Sequence, residues 1–297
     1  MAPPVVIAIP GGERHAQRLV ERLGGERADV LVRQFPDGEV YVRIDSPVVD
    51  REVVLVGGLD QPGDKLLPLL FLAATARDLG AKRVGLVAPY LSFMRQDARF
   101  HPGEGVTATY FAALMSRTVD WLATVDPHLH RLASLDQIYR IPTKVARAAP
   151  AIAAWIRREV PRPVIVGPDA ESEQWALAVA RDCDAPCVVL EKTRRGDRDV
   201  SVTAPQLDAH RDRTPVLVDD IISTARTMIE TVVAVRAAGA AAPVCVGIHG
   251  VFADGAHADL LAAGAARIVT CNTIAHASNA IEVDDALAEA ARAMLAS

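Results

Sequence analysis

The clearest place for chemistry in this 297-residue chain is the run Val216, Leu217, Val218, Asp219, Asp220, Ile221, Ile222, Ser223, Thr224, Ala225, Arg226, Thr227. A strand that is apolar on both faces delivers two carboxylates at its C-terminal end, and a turn of small residues then opens a helix. Ligands of open α/β sheets sit at the carboxyl ends of the strands. The N–H groups of a helix's first turn attract a phosphate, and the hydroxyls of Ser223, Thr224 and Thr227 add donors. The adjacent acids can hold ribose hydroxyls or a metal-bound water. Ser223 or Thr224 as a plain N-cap is the simpler reading. Capping alone, however, leaves two consecutive acids at a buried strand's end unexplained.

Other reactive types fall at other strand ends. Arg95, Gln96, Asp97 and Arg99 follow a strand and a Pro89-Tyr90 turn, and guanidinium forks suit polyphosphate because they stay charged and donate in a plane. Asp126, His128 and His130 are spaced by two, so on an extended chain they share a face. Asp169 closes the strand 164–166. An imidazole with a carboxylate can help hold Mg²⁺ whose other ligands are phosphate and water oxygens, although a lone histidine at a strand end is more often structural. Only four of the 32 basic residues are lysines, and one of them, Lys192, stands within two positions of Arg194 and Arg195 after the strand 188–190. By itself such a cluster reads as a solvated charge run. Phe35, Asp37 and Glu39 read as a β-turn with Asp37-Gly38 at its tip before the strand 40–44. The segment 103–108 has dinucleotide-fingerprint spacing, but no strand precedes it, so that reading fails.

The elements that must position these residues repeat in one pattern. Short apolar runs at 5–9, 53–56, 84–87, 164–166, 188–190, 216–218, 244–246 and 268–270 suit buried parallel strands. Helix-length segments lie between them, at 13–23, 65–79, 108–116, 172–182 and 226–238, and Gly24, Gly80 and Gly239 stand where helices end. The alternation predicts α/β sheets covered by helices on both faces, run through twice. The expected domains are residues 1–142 and 143–283, with a closing helix over 284–297 free to pack on the first.

Composition narrows the function classes. Hydrophobic residues make up 51% and charged residues 23% of the chain, and the net charge is −5. Nothing here supplies the basic excess that drives nucleic-acid or membrane binding. The longest apolar run, 66–76, contains Pro68 and is far shorter than the roughly 18 residues of a membrane span. The apolar stretch 5–9 is too short for a signal-peptide core. A soluble, cytoplasmic protein is expected. Cys183, Cys187, Cys245 and Cys271 lack paired spacing and are expected to be buried free thiols.

The 216–227 run resembles the phosphoribosyl-pyrophosphate loop shared by type I phosphoribosyltransferases and ribose-phosphate pyrophosphokinases. Further segments match the pyrophosphokinases, in family order: Phe35-Pro36-Asp37-Gly38-Glu39, 89–97, 102–108, Val125-Asp126-Pro127-His128, Gly167-Pro168-Asp169 and Glu191-Lys192-Thr193-Arg194. The resemblance implies two similar phosphoribosyltransferase-type α/β domains, each a mainly parallel sheet with helices on both faces. It implies a ribose-phosphate diphosphokinase that moves the β,γ-diphosphoryl group of Mg-ATP to the 1-hydroxyl of ribose 5-phosphate. The alternatives are a type I phosphoribosyltransferase and a non-catalytic, synthetase-associated subunit. By resemblance, Lys192 and Arg194 are catalytic, and Phe35, Asp37, Glu39, Arg95, Gln96, Asp97 and Arg99 bind ATP. Asp219, Asp220, Ser223, Thr224, Ala225, Arg226 and Thr227 bind ribose 5-phosphate. His128 and Asp169 serve the Mg²⁺, with His130 supporting them. The Phe35 loop is implied to reach a neighbouring subunit's site in a homo-oligomer, a dimer or hexamer. The stretch 191–200 resembles the shorter archaeal type of loop. Arg226 stands where the family usually has glycine, at a backbone position that then either needs positive φ or frees the side chain to clasp phosphate.

Overall fold

The computed structural model describes residues 2–195, 199–203 and 205–297, with the backbone alone for 191–195, 199–203 and 205–206. The chain divides into two compact units, Met1–Ala146 with Asp284–Ser297, and Arg147–Val283.

The first unit runs β1 (Val5–Ala8), α1 (Glu13–Leu23), β2 (Glu26–Arg27), β3 (Val30–Gln34), β4 (Val40–Ile44), β5 (Glu52–Val56), α2 (Pro62–Asp78), β6 (Arg83–Ala88), α3 (Thr107–Thr118), β7 (Trp121–Val125) and β8 (Thr143–Ala146). Among the described residues its main sheet has the order β2-β1-β5-β6-β7-β8, parallel throughout. The central strands are buried along their whole length, as Val53, Val54, Leu55 and Val56 illustrate. Each such side chain stabilises the fold by about 1.5–3 kcal/mol. Leu69, Leu72 and Met115 from the helices complete the core. Because 143–146 pair with β7, the unit extends four residues beyond the Pro142 loop where the strand pattern breaks.

The second unit runs α4 (Ala149–Glu159), β9 (Pro163–Gly167), α5 (Glu173–Cys183), β10 (Cys187–Val189), β11 (Glu191–Arg195), β12 (Asp199–Thr203), β13 (Thr214–Ile222), α6 (Arg226–Ala237), β14 (Val244–Gly250), α7 (Ala256–Ala262), β15 (Arg267–Cys271) and β16 (Asn279–Ile281). Its parallel sheet has the order β10-β9-β13-β14-β15-β16. The two orders are the same plan used twice. In each unit an antiparallel ribbon, β3-β4 or β11-β12, interrupts the chain between the second and third strands of the sheet. The doubled α/β fold read from the sequence is therefore present, and Gly24, Gly80 and Gly239 end their helices at positive φ.

The last helix, α8 (Asp284–Leu295), belongs to the first unit, where it packs on α1, β7 and β8. Its fully buried Asp284 meets His15 Nδ1 at 2.6 Å. Arg22 pairs with Asp285, Arg292 donates to the Arg22 carbonyl at 2.7 Å, and Arg83 donates to the Leu295 carbonyl.

Cys183, Cys245 and Cys271 are buried free thiols, and burial pushes Cys245 up to about 12. Cys187 departs from that expectation: it is half-buried, because β10 is the sheet's edge strand. No described helix is long and apolar enough to cross a membrane.

Candidate active site

In the first unit, Phe35, Asp37 and Glu39 occupy the tip of the β3-β4 ribbon. The Phe35 N–H donates to the Glu39 carbonyl at 2.8 Å, the Gly38 N–H donates to the Phe35 carbonyl, and Gly38 takes φ of 91°. Asp37 Oδ1 accepts the Glu39 N–H at 3.2 Å. The Phe35 ring is 39% exposed, and the Arg33 guanidinium lies over it at 4.4 Å. Tyr41 meets its edge at 6.1 Å. The turn therefore presents one open aromatic face beside two carboxylates.

The second group follows β6. Phe93 turns the chain at φ of 68°, and Arg95 beyond it is exposed. Gln96, Asp97 and Arg99 are each engaged within the first unit. Gln96 Nε2 donates to the Ala98 carbonyl at 3.2 Å and to Glu104 at 3.4 Å. Asp97, with its side chain 3% exposed, pairs with Arg131 at 2.9 Å. Arg99 Nε donates to the Glu104 carbonyl at 3.0 Å. Glu104 organises the loop: its Oε2 accepts the N–H groups of Phe100 at 2.7 Å and His101 at 2.9 Å. The His101 and then the Phe100 amide hold its carboxyl below the usual range. Glu104 and Arg131 are the residues that pattern reading missed. Arg131 reaches a partner 34 residues away along the chain, and for Glu104 the Gly103-Glu104-Gly105 match was the sole local signal.

The expected extended face over 126–130 is not formed. Asp126 and His128 have φ of 27° and 44°, and the His128 N–H turns back to the Asp126 carbonyl at 2.9 Å. The tight turn brings the His128 and His130 rings edge to face at 4.0 Å, with Nδ1 of His128 3.1 Å from Nε2 of His130. Where His128 donates in that bond, its Nε2 carries the acceptor lone pair. Asp126 is buried, 3% exposed.

In the second unit the acid pair lies within β13, which continues two residues further. Asp219 pairs in register with Gly247 of β14, and Ile222 with Gly250. Asp220 is 3% exposed, and its N–H donates to Asp219 Oδ1 at 3.0 Å. The turn that follows carries Ser223 and Thr224. Helix α6 begins after Ala225, which takes the left-handed conformation at φ of 58°, and no side-chain hydrogen bond caps it. The N-cap explanation of Ser223 and Thr224 therefore fails. The first-turn N–H groups of a helix have no partners within it, and here Thr227 stands in that turn. The positive φ falls on Ala225 rather than Arg226, so Arg226 enters the helix without strain and is exposed.

Asp169 ends the β9 turn. Its Oδ1 accepts the N–H of buried Ser172 at 3.1 Å, and Ser172 Oγ donates to the Asp169 carbonyl at 2.7 Å. Lys192 and Arg194 fall on β11, in register with Val202 and Val200. Their side chains lie outside the described residues.

Comparison with known proteins agrees with this arrangement. Residues 5–118 match the family model of the N-terminal domain of ribose phosphate pyrophosphokinase, and residues 134–286 match that of the phosphoribosyl transferase domain. The ribose-phosphate pyrophosphokinase of Methanopyrus kandleri is 34% identical, over 96% of this chain and 98% of its own length. That of Methanobrevibacter smithii is 32% identical over 93% and 96%. The crystal structure of phosphoribosylpyrophosphate synthetase from Mycobacterium smegmatis shares the fold, with a TM-score of 0.85 over 99% of both chains at 23% identity. With both halves of the chain matched and archaeal relatives aligned along nearly its whole length, the chain belongs to the ribose-phosphate pyrophosphokinase family.

Proposed function

We propose that this enzyme transfers the β,γ-diphosphoryl group of ATP to the 1-hydroxyl of ribose 5-phosphate, releasing AMP and phosphoribosyl pyrophosphate in the cytoplasm. The observation that carries the reading is the uncapped start of α6 directly after Asp219 and Asp220, in a chain of this family. A sugar phosphate suits that turn: its 5-phosphate takes the amides and hydroxyls of Ser223, Thr224, Ala225, Arg226 and Thr227, and its 2- and 3-hydroxyls donate to the two carboxylates.

ATP is assigned to the first unit's residues. Adenine stacks on the open face of Phe35, and Asp37 and Glu39 accept from its amino group. Arg95 meets the phosphates. Gln96, Asp97 and Arg99 are assigned to ATP by resemblance, and their bonds within the 95–104 loop support a share in shaping it. As the exposed tip of a ribbon outside the main sheet, Phe35 is suited to serve a neighbouring copy's site in a homo-oligomer.

The donor types fit Mg²⁺. The imidazole of His128 and the carboxylate of Asp169 are too few to complete an octahedral shell, as is usual for a Mg²⁺ that takes its other ligands from substrate phosphates and water. When bound, Mg²⁺ supplies neutralisation of phosphate charge.

Attack of the 1-hydroxyl on the β-phosphorus places charge on the equatorial and leaving oxygens, so catalysis is positioning plus electrostatics. Lys192 and Arg194 are assigned that charge. Replacing Lys192 with alanine is expected to lower turnover by about a thousandfold or more, with the KM for ribose 5-phosphate nearly unchanged. Undiminished turnover would remove Lys192 from the mechanism.

A further inference from the structure

The turn after β13 is held by a neighbour that the reaction scheme does not use. After β14 the chain reverses, and Phe252 adopts φ of 41°, a conformation strained for a residue with a Cβ. In that conformation the Phe252 N–H donates to the Ile222 carbonyl at 2.9 Å and the Ala253 N–H donates to the Ser223 carbonyl at 3.0 Å. Two consecutive amides thus grip the two consecutive carbonyls that lead into the turn.

The ring explains why the strained turn persists. It lies on Gly250, where a Cβ would come within 2.8 Å of it. His276 stacks on it at 4.4 Å, and His257 meets it edge-on at 5.3 Å. His276 is fixed in turn: its Nδ1 accepts the Ser278 N–H, and its own N–H donates to Asn279 Oδ1 at 3.0 Å. Asn279 Nδ2 donates to Thr270 Oγ1 and to the Cys271 carbonyl. The slot is therefore built from β14, α7 and the loop between β15 and β16, parts of the chain that carry none of the assigned ligands.

We propose that Phe252 is a positioning residue for ribose 5-phosphate: its ring, packed against His257 and His276, whose own rings lie 5.1 Å apart, holds the 252–253 amides on the carbonyls of Ile222 and Ser223 and so presets the phosphate-binding turn. The inference rests on the assignment of that turn to ribose 5-phosphate. A ligand-ready turn loses little freedom on binding, so loosening it weakens affinity while leaving the reacting groups intact.

The test is steady-state kinetics on the full chain. Phe252→Ala is predicted to raise the KM for ribose 5-phosphate about tenfold or more, with kcat within about threefold and the KM for ATP unchanged. Phe252→Tyr, which keeps the ring in its slot, restores the wild-type value. A KM for ribose 5-phosphate unchanged in Phe252→Ala overturns the proposal, as does a uniform loss that also raises the KM for ATP. If Phe252→Ala does not fold, His276→Ala removes one wall of the slot and is predicted to raise the same KM, and no rise there is equally fatal. Asp220→Asn separates the two levels of inference. If it leaves ribose 5-phosphate affinity intact, the turn's assignment is wrong. If it abolishes affinity while Phe252→Ala does not change it, the clamp alone is wrong.

Discussion

Arg131 donates to Asp97 at 2.9 Å from 34 residues further along the chain, and the Asp97 side chain it reaches is 3% exposed. The same guanidinium lies 5.0 Å over the Phe100 ring, so Arg131 clamps two points of the loop assigned to ATP. A hydrogen bond to a charged group contributes about 1.5–3 kcal/mol. Arg131→Ala is accordingly expected to raise the KM for ATP by about tenfold or more and to leave the KM for ribose 5-phosphate unchanged. An unchanged KM for ATP would mean that the loop is shaped without this pair.

Glu104 gives the same loop a pH dependence. Its carboxyl is held below the usual glutamate range by the amides of His101 and Phe100. A depressed pKa means that the folded loop favours the carboxylate, so this contribution is complete above about pH 4.5 and is lost as pH falls through the lowered value. Hydrogen exchange at the Phe100 and His101 amides is expected to accelerate in Glu104→Gln at neutral pH. Equal protection in the variant would show that the charge is not needed.

Ala225 carries its left-handed φ of 58° while 6% exposed. An L-residue there costs roughly 1–2 kcal/mol against glycine's freedom. Ala225→Gly is therefore expected to raise stability by up to about 1 kcal/mol after the unfolded chain's added entropy is subtracted. A lower denaturation midpoint in Ala225→Gly would contradict this reading of the turn.

The His15 and Asp284 pair joins the closing helix to α1 in a fully buried setting. Deleting one partner leaves the other without its mate in low dielectric, which typically costs about 3–5 kcal/mol. His15→Ala is expected to lose close to that in urea unfolding. A loss below about 1 kcal/mol would show that α8 is held without a material contribution from this pair.

What could be read in the sequence followed burial. Strands buried on both faces, such as β5 and β13, announce themselves in unbroken Val, Leu and Ile, and all eight such runs form strands of the two sheets. Edge elements do not: β2 is the exposed pair Glu26 and Arg27, and β16 is three residues long. Helix α4 opens on Ala149 and Pro150, and its apolar period is short, carried by Ile152, Trp155 and Ile156. At the site, the acid pair and small-residue turn were visible because their chemistry is local. The left-handed turns at Asp126 and His128, the positive φ at Ala225 and the pairing of Asp97 with Arg131 depend on tertiary contacts, and no spacing rule carries them.

The central claim is the bond that is broken in ATP. Phosphorus NMR of the full chain with Mg-ATP and ribose 5-phosphate, with no nucleobase present, follows it directly. The account predicts AMP and a sugar bearing a 1-diphosphate, formed in equal amounts. ADP with a sugar bisphosphate, or no consumption of ATP, would contradict it.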